Sequence, residues 1–284
     1  MKLNKNLITT KGFRADMHNH TDSSKDSKCH IDDLCLAHIE KGTSAFAITD
    51  HLNLEALERD SEVCALIYES FKKTTEAREK YADKVEILRG VEVGSAIWHP
   101  GVISDMLSKL DFDVVIGSIH TSLTDEIDIP YSWFDFTNAS DEAIDKLIKA
   151  YFNDVLDTAL NTDYDILAHI NCPFRYLNGK FGKAVDELKY EEIIREILKA
   201  VIKRGKSLEL NTSNCTFADS FFMPDNRILS IYRDLGGTMI SMGSDAHVAK
   251  NCRVAFGEAE ELLKSLGFDK LCMYRKRTPY FYSI

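Results

Sequence analysis

Short apolar runs recur seven times along this chain, at 14–18, 45–49, 85–91, 113–119, 165–169, 206–211 and 237–242, separated by longer stretches of helical character. Strands that are apolar almost continuously, rather than at alternate positions, must be covered on both faces, as in a parallel sheet wrapped by helices. Helix signals fill the gaps. The stretch 32–42 opens on Asp32-Asp33 and stops at Lys41-Gly42; 140–160 opens on Ser140, whose hydroxyl can accept from an orphan amide; 187–204 runs into Gly205 and 249–266 into Gly267. Seven strand–helix repeats in this order predict an α/β fold whose sheet curls into a closed or nearly closed barrel. An open doubly wound sheet is the alternative, but His18-Asn19-His20 stands where its glycine-rich phosphate turn would follow the first strand. No linker, repeat or low-complexity segment divides the 284 residues, so residues 1–284 are expected to form one domain.

The histidines supply the second constraint. Of nine, six fall at or just beyond the end of a predicted strand: His18 and His20, His51, His120, His169 and His247. Asp50, Glu92 and Asp245 stand at strand ends too. In a parallel barrel all these ends gather at one face, where the strand-to-helix loops build the site. Imidazole and carboxylate together suit Zn, Mn or Fe rather than Mg or Ca, which prefer oxygen alone. One ion takes about four protein ligands, so this set suits two or three ions. His38 lies in a helix and reads as a surface or packing residue.

The ordered segments His18-Asn19-His20-Thr21-Asp22, Ile48-Thr49-Asp50-His51, Gly90-Val91-Glu92-Val93-Gly94, Gly117-Ser118-Ile119-His120, Ala168-His169 and Gly243-Ser244-Asp245-Ala246-His247 resemble the motifs of the polymerase and histidinol phosphatase (PHP) superfamily. Within it the chain is most similar to the PHP-type histidinol-phosphatases, through Glu209-Leu210-Asn211-Thr212-Ser213 and, near the end, Ala259 to Phe268 followed by Arg275 to Pro279. The resemblance implies a distorted TIM-like (β/α)7 barrel and a metal-dependent phosphomonoesterase, hydrolysing L-histidinol phosphate in histidine biosynthesis or, alternatively, other small phosphate esters or nucleotides. It also implies two to three divalent ions. His18, His20, Glu92 and Asp245 would hold one, and Glu92 would bridge to a second on His120 and His169. Asp26, His51 and His247 would hold a third. Asp26 falls six residues after the second histidine, with Asp22 and Asp32 as neighbours that could displace it. His30, His38 and His99 match no family ligand. A metal-storing or regulatory domain without catalysis is a third reading, which the complete ligand set disfavours.

Asp245, His247 and Arg175 are the residues expected to take part in catalysis. Arg175, six residues beyond His169, offers a planar fork for phosphate oxygens. The family uses a second basic residue near 209–213, yet 214–219 carries no cation, leaving Arg227 or Arg253 as substitutes. Asp50 reads either as an orienter of His51 or as a structural carboxylate. The acidic and aromatic stretch 124–136 could cover the site, with Asp125, Glu126 and Asp128 receiving a cationic amine.

Composition narrows the partners. A net charge of −10 argues against nucleic acid, which is bound through clustered Lys and Arg. Apolar runs are too short to cross a bilayer, and no apolar segment follows the basic residues near the start, so a cytoplasmic location is expected. Seven cysteines (29, 35, 64, 172, 215, 252 and 272), odd in number and without a CxxC pair, argue against disulfides or a thiolate zinc site. The partner is expected to be a small-molecule phosphate ester, with a homo-oligomer among the states the sequence allows.

Overall fold

The computed structural model describes residues 6–56, 62–216 and 221–284. After β1 (Leu7–Ile8) come β2 (Ala15–Asp16), α1 (Ile31–Glu40), β3 (Ala45–Ile48), β4 (His51–Asn53), α2 (Val63–Lys80), β5 (Glu86–Gly94) and α3 (Pro100–Lys109). Then follow β6 (Val114–Ser118), α4 (Asp141–Asn161), β7 (Ile166–Leu167), α5 (Glu191–Lys203), β8 (Ser207–Asn211), α6 (Asn226–Asp234), β9 (Ile240–Gly243), α7 (Phe256–Ser265), β10 (Lys270–Arg275) and β11 (Thr278–Ser283).

Seven strands stand side by side in the order β2-β3-β5-β6-β7-β8-β9, all parallel, and β4 continues alongside β5. β3, β6, β8 and β9 are buried at every residue, as strands with helices outside and packed side chains inside must be. The ring nearly closes between β2 and β9. Met17 N–H donates to Met242 O (2.9 Å), Asp245 N–H to His18 O (2.8 Å) and His20 N–H to Ala246 O (2.9 Å). The predicted barrel of seven parallel strands is therefore what the chain forms. Its closing bonds lie within the two motifs richest in prospective ligands, so closure and site assembly are one event.

Local signals place most element ends. Ser140 Oγ accepts from Ala143 N–H (3.1 Å) at the start of α4, and Asp225 caps α6 through Arg227 and Ile228 N–H. Local backbone geometry accounts for three differences from the sequence reading. Gly236 (φ +90°) and Gly237 turn the chain after α6, so the last barrel strand begins at Ile240 rather than 237. The stretch 249–266 splits into a short turn, Ala249–Asn251, and α7, because Arg253 and Ala255 take left-handed backbone conformations between them. The first turn of 187–204 is a tighter helix, Glu187–Tyr190.

Opposite the histidines, the barrel base is closed by β10 and β11, an antiparallel hairpin whose two-residue turn, Lys276-Arg277, has both φ angles positive (+47° and +60°). The hairpin ties down the starts of the barrel strands. Arg275 grips Glu86 (2.5 Å), and Arg277 N–H donates to Asp113 O (2.9 Å) while its guanidinium meets Asp163 and Asp165. Tyr274 OH lies 2.8 Å from Ser207 Oγ. These polar anchors fix one end of the barrel and leave the other free for loops. Among the described residues no helix is long and apolar enough to cross a membrane, and all seven cysteines are free.

Candidate metal centre

Glu92, buried near the end of β5, is the hub of the opposite face. Its Oε2 lies 3.2 Å from His18 Nε2, 3.4 Å from His20 Nε2 and 2.7 Å from His51 Nδ1; its Oε1 lies 3.1 Å from His120 Nε2 and 3.0 Å from His169 Nε2. One carboxylate thus addresses five imidazoles from four loops, with its two oxygens turned to different subsets. Asp245 Oδ1 stands 3.2 Å from His20 Nε2 and 3.5 Å from His247 Nδ1. Asp26 Oδ2 is 3.3 Å from both His51 Nε2 and His247 Nε2, which fixes the register of its loop. Asp22 instead pairs with His30 and Lys73, and Asp32 with Lys80 and Tyr81. All nine sequence-predicted ligands are brought together.

The electrostatics are those of buried acids and imidazoles packed against one another. Burial opposes the charged form of Glu92, yet His120, His18 and His51 hold its carboxyl well below the usual range. Burial works against Asp26 and Asp245 in the same way, and their histidine neighbours prevail. Burial would push His18 down, but Glu209, Glu92 and Asp245 raise it; Glu92 and Asp26 do the same for His51. His20 is depressed, by burial and by the rings of His51 and His247 stacked 4.1 and 4.3 Å away. The fit to metal rests on orphaned atoms: His18 Nε2, His20 Nε2, His51 Nδ1 and Glu92 Oε2 are buried without hydrogen-bond partners and point at one another. Unpaired buried polar atoms are costly, and four converging ones are what divalent ions would satisfy. Subsets of this cluster, such as His18, His20 and Glu92, or His51, Glu92 and His120, have ligand atoms close enough to share an ion.

The outer supports were mostly unread in the sequence. Glu209 Oε1 lies 2.6 Å from His18 Nδ1, while Oε2 accepts from His169 N–H (2.9 Å) and Asn211 Nδ2 (3.1 Å). With both oxygens engaged and His18 Nε2 turned to Glu92, Glu209 positions His18 rather than adding a ligand. A carboxylate between two leucines, Leu208 and Leu210, in a predicted strand was the signal available for it. Asp16 accepts from Ser244 N–H (3.0 Å) and Ser244 Oγ (2.6 Å), joining the strands that carry His18 and Asp245. Asp50 accepts from Thr21 N–H and Oγ1, Ser24 Oγ and Ser70 Oγ at 2.6–2.7 Å. Ser24 Oγ in turn lies 3.2 Å from His20 Nδ1 and accepts from His51 N–H (3.1 Å), so through Ser24 Asp50 supports the His20 ring and the His51 backbone. His38 is a packing residue, stacked on Phe46 at 4.0 Å and bonded to Asn19 and Thr43. His169 (φ +24°) and Asp245 (φ +48°) hold strained backbone conformations, as residues at working sites often do.

A cavity of about 650 Å³ opens over the cluster. Arg175 lines it, its Nη2 bonded to Ser213 Oγ and 3.8 Å from Asp245 Oδ2, and Lys25 lines it from the Asp26 loop. Arg227 is spent on Asp225 and Asp186, and Arg253 lies under Phe256, so neither serves the cavity. Of the cation-free segment 214–219, residues 217–219 lie outside the described residues. Tyr131 and Trp133 reach the cavity from the 124–136 stretch, but Asp125, Glu126 and Asp128 face solvent, with Glu126 paired to Lys146. That stretch contributes rings to the cavity, not carboxylates.

The sequence profile of the PHP domain matches residues 16–213, which is more than two thirds of the chain. The chain belongs to the PHP family. A probable histidinol-phosphatase of Thermotoga maritima is 29% identical over 92% of this PHP chain and 96% of its own. A histidinol-phosphatase of Lactococcus lactis subsp. lactis is 26% identical over 92% and 94%. The PHP fold is shared with the crystal structure of histidinol phosphate phosphatase from the latter organism, complexed with zinc, L-histidinol and phosphate, at a TM-score of 0.78, 23% identity and coverage of 94% of this chain and 98% of that one.

Proposed function

We propose that the chain, acting as one domain, is a phosphomonoesterase that hydrolyses L-histidinol phosphate to L-histidinol and phosphate. Two to three divalent ions (Zn, Mn or Fe) would be held by His18, His20, Asp26, His51, Glu92, His120, His169, Asp245 and His247. The observation that carries this reading is Glu92, whose two oxygens face separate histidine sets within 3.4 Å, the placement of a bridging ligand. The substrate follows from relatives that match nearly the whole chain and are described as histidinol-phosphatases.

When bound, the ions supply charge neutralisation for the phosphoryl oxygens and acidify the attacking water. The chain's own residues do the rest. Three carboxylates offset only part of the charge of two or three divalent ions, so the cluster keeps a positive balance that suits a phosphate dianion. Arg175 lines the cavity beside Asp245 and would bond non-bridging phosphate oxygens. Water attacks phosphorus, the ester P–O bond breaks, and the leaving alkoxide takes a proton. That proton is the one the attacking water gives up, and the ionised Asp245 with His247, in contact with each other at the cavity wall, are placed to relay it.

Purified protein should contain two to three transition ions per chain. It should cleave histidinol phosphate with kcat/KM of about 10⁴ M⁻¹s⁻¹ or more. Less than one equivalent after reconstitution, or a nucleotide or p-nitrophenyl phosphate preferred tenfold, overturns the reading.

A further inference from the structure

Beside the histidine cluster the cavity wall carries one more carboxylate, which the mechanism does not use. Glu55 lies in the short turn Leu54–Ala56 that follows β4, and it lines the cavity. Its Oε2 is buried and has no hydrogen-bond partner, and no ion pair joins Glu55 to another described residue. Its position is fixed by Gly94. A Cβ on that glycine would stand 3.1 Å from Glu55 Oε2, 2.5 Å from Asn53 Oδ1 and 3.2 Å from His120 Nδ1. The carboxylate therefore sits next to the cluster rather than at the cavity mouth. Asn53 Oδ1 already takes the His120 Nδ1 proton at 3.0 Å, leaving the Glu55 oxygen as the unused acceptor of the group. Ala56, Val63 and Leu66 make this stretch of wall apolar. A buried oxygen in such a place lacks the donor that buried polar atoms ordinarily have.

L-Histidinol phosphate brings one. Its ammonium is three bonds from the ester oxygen, so a phosphate seated on the cluster holds that ammonium close by. We propose that the unpartnered Glu55 carboxylate accepts the ammonium of an aminoalkyl phosphate and so sets the specificity of the site. This rests on the phosphomonoesterase reading above and supplies the acid that Asp125, Glu126 and Asp128 do not. A rival role is structural: Glu55 as a reserve acceptor for His120, positioning that ring whatever the substrate.

The test is steady-state kinetics of the metal-loaded wild type and of Glu55→Gln and Glu55→Ala on L-histidinol phosphate, its des-amino analogue and p-nitrophenyl phosphate. Metal content and melting temperature serve as checks on folding. Wild type should prefer the amino substrate over the des-amino one. Both variants should lose roughly 10- to 100-fold in kcat/KM on the amino substrate, mainly through KM, and stay within twofold on the other two. Equal losses on all three substrates assign Glu55 to positioning His120 and overturn the proposal, as does a wild type indifferent to the amine. A wild type inactive on every phosphate ester defeats the phosphomonoesterase reading instead, so the two failures are told apart.

Discussion

Glu209→Gln is the sharpest probe of how this site is held. Glu209 accepts at both oxygens: from His18 Nδ1 at 2.6 Å on one, and from His169 N–H at 2.9 Å with Asn211 Nδ2 at 3.1 Å on the other. Glutamine keeps the shape but offers one acceptor, and turns an NH2 group towards donors on its other side. If the amide oxygen serves His169 and Asn211, His18 Nδ1–H faces a donor; if it serves His18, the backbone and Asn211 do. Either way a buried donor goes unsatisfied at a cost of about 1–3 kcal/mol. The His18 ring is also freed to rotate away from Glu92, and outer partners of this kind are worth roughly 10- to 100-fold in metal affinity. Metal competition against a fluorescent chelator should show that loss, with activity partly restored at high metal concentration. A folded variant that binds metal within twofold of wild type refutes the argument that Glu209 orients His18.

Glu92→Gln should cost at least about 3 kcal/mol of site stabilisation, seen as a 100-fold or greater loss of activity with fewer bound ions, whereas His30→Ala, which removes an exposed ring paired with Asp22, should leave both unchanged. Gly243→Ala would drive a Cβ to 2.5 Å from His18 Cβ and into the Glu209 carboxylate; overpacking of about 1–3 kcal/mol should lower the melting temperature and weaken metal binding, and an unperturbed variant contradicts the geometry. Burial, with Arg253 and Lys41 nearby, lowers His38 to about 3 from 6.5. The unfolded chain therefore binds the extra proton between those values, and stability present above pH 6.5 is lost as pH falls through that window, by at most about 1.4 kcal/mol per pH unit. Denaturant titrations from pH 7 to 4 should show a shallower decline for His38→Gln, and parallel curves would count against it.

The sequence alone determined the barrel and which residues gather at one face of it, for one reason. Strand period and strand ends are local properties, so runs such as Ala45–Ile48 and Val114–Ser118 announce themselves, and a parallel barrel then forces their carboxy-terminal residues to one face. His18, His51, Glu92, His120, His169 and Asp245 were legible through that logic, without any knowledge of distances. Pairings across the barrel were not. Asp50 stands beside His51 in the chain but supports His20 through Ser24, and Glu209 reaches His18 from 191 residues away. Closure of the ring between β2 and β9 brings Glu209 to His18, and the pairing of β2 with β3 brings Asp50 to Ser24 and His20. The base hairpin escaped notice because Lys276-Arg277 carries no glycine to mark its turn, and its partners Glu86, Asp113 and Asp165 are scattered over three strand starts. Which carboxylates face the cavity was likewise a tertiary decision. Asp125, Glu126 and Asp128 look like a binding loop in the chain, but the packing of Ile127 and Tyr131 turns them to solvent, while Glu55, which no motif marks, joins Asp26 and Asp245 in facing the cavity.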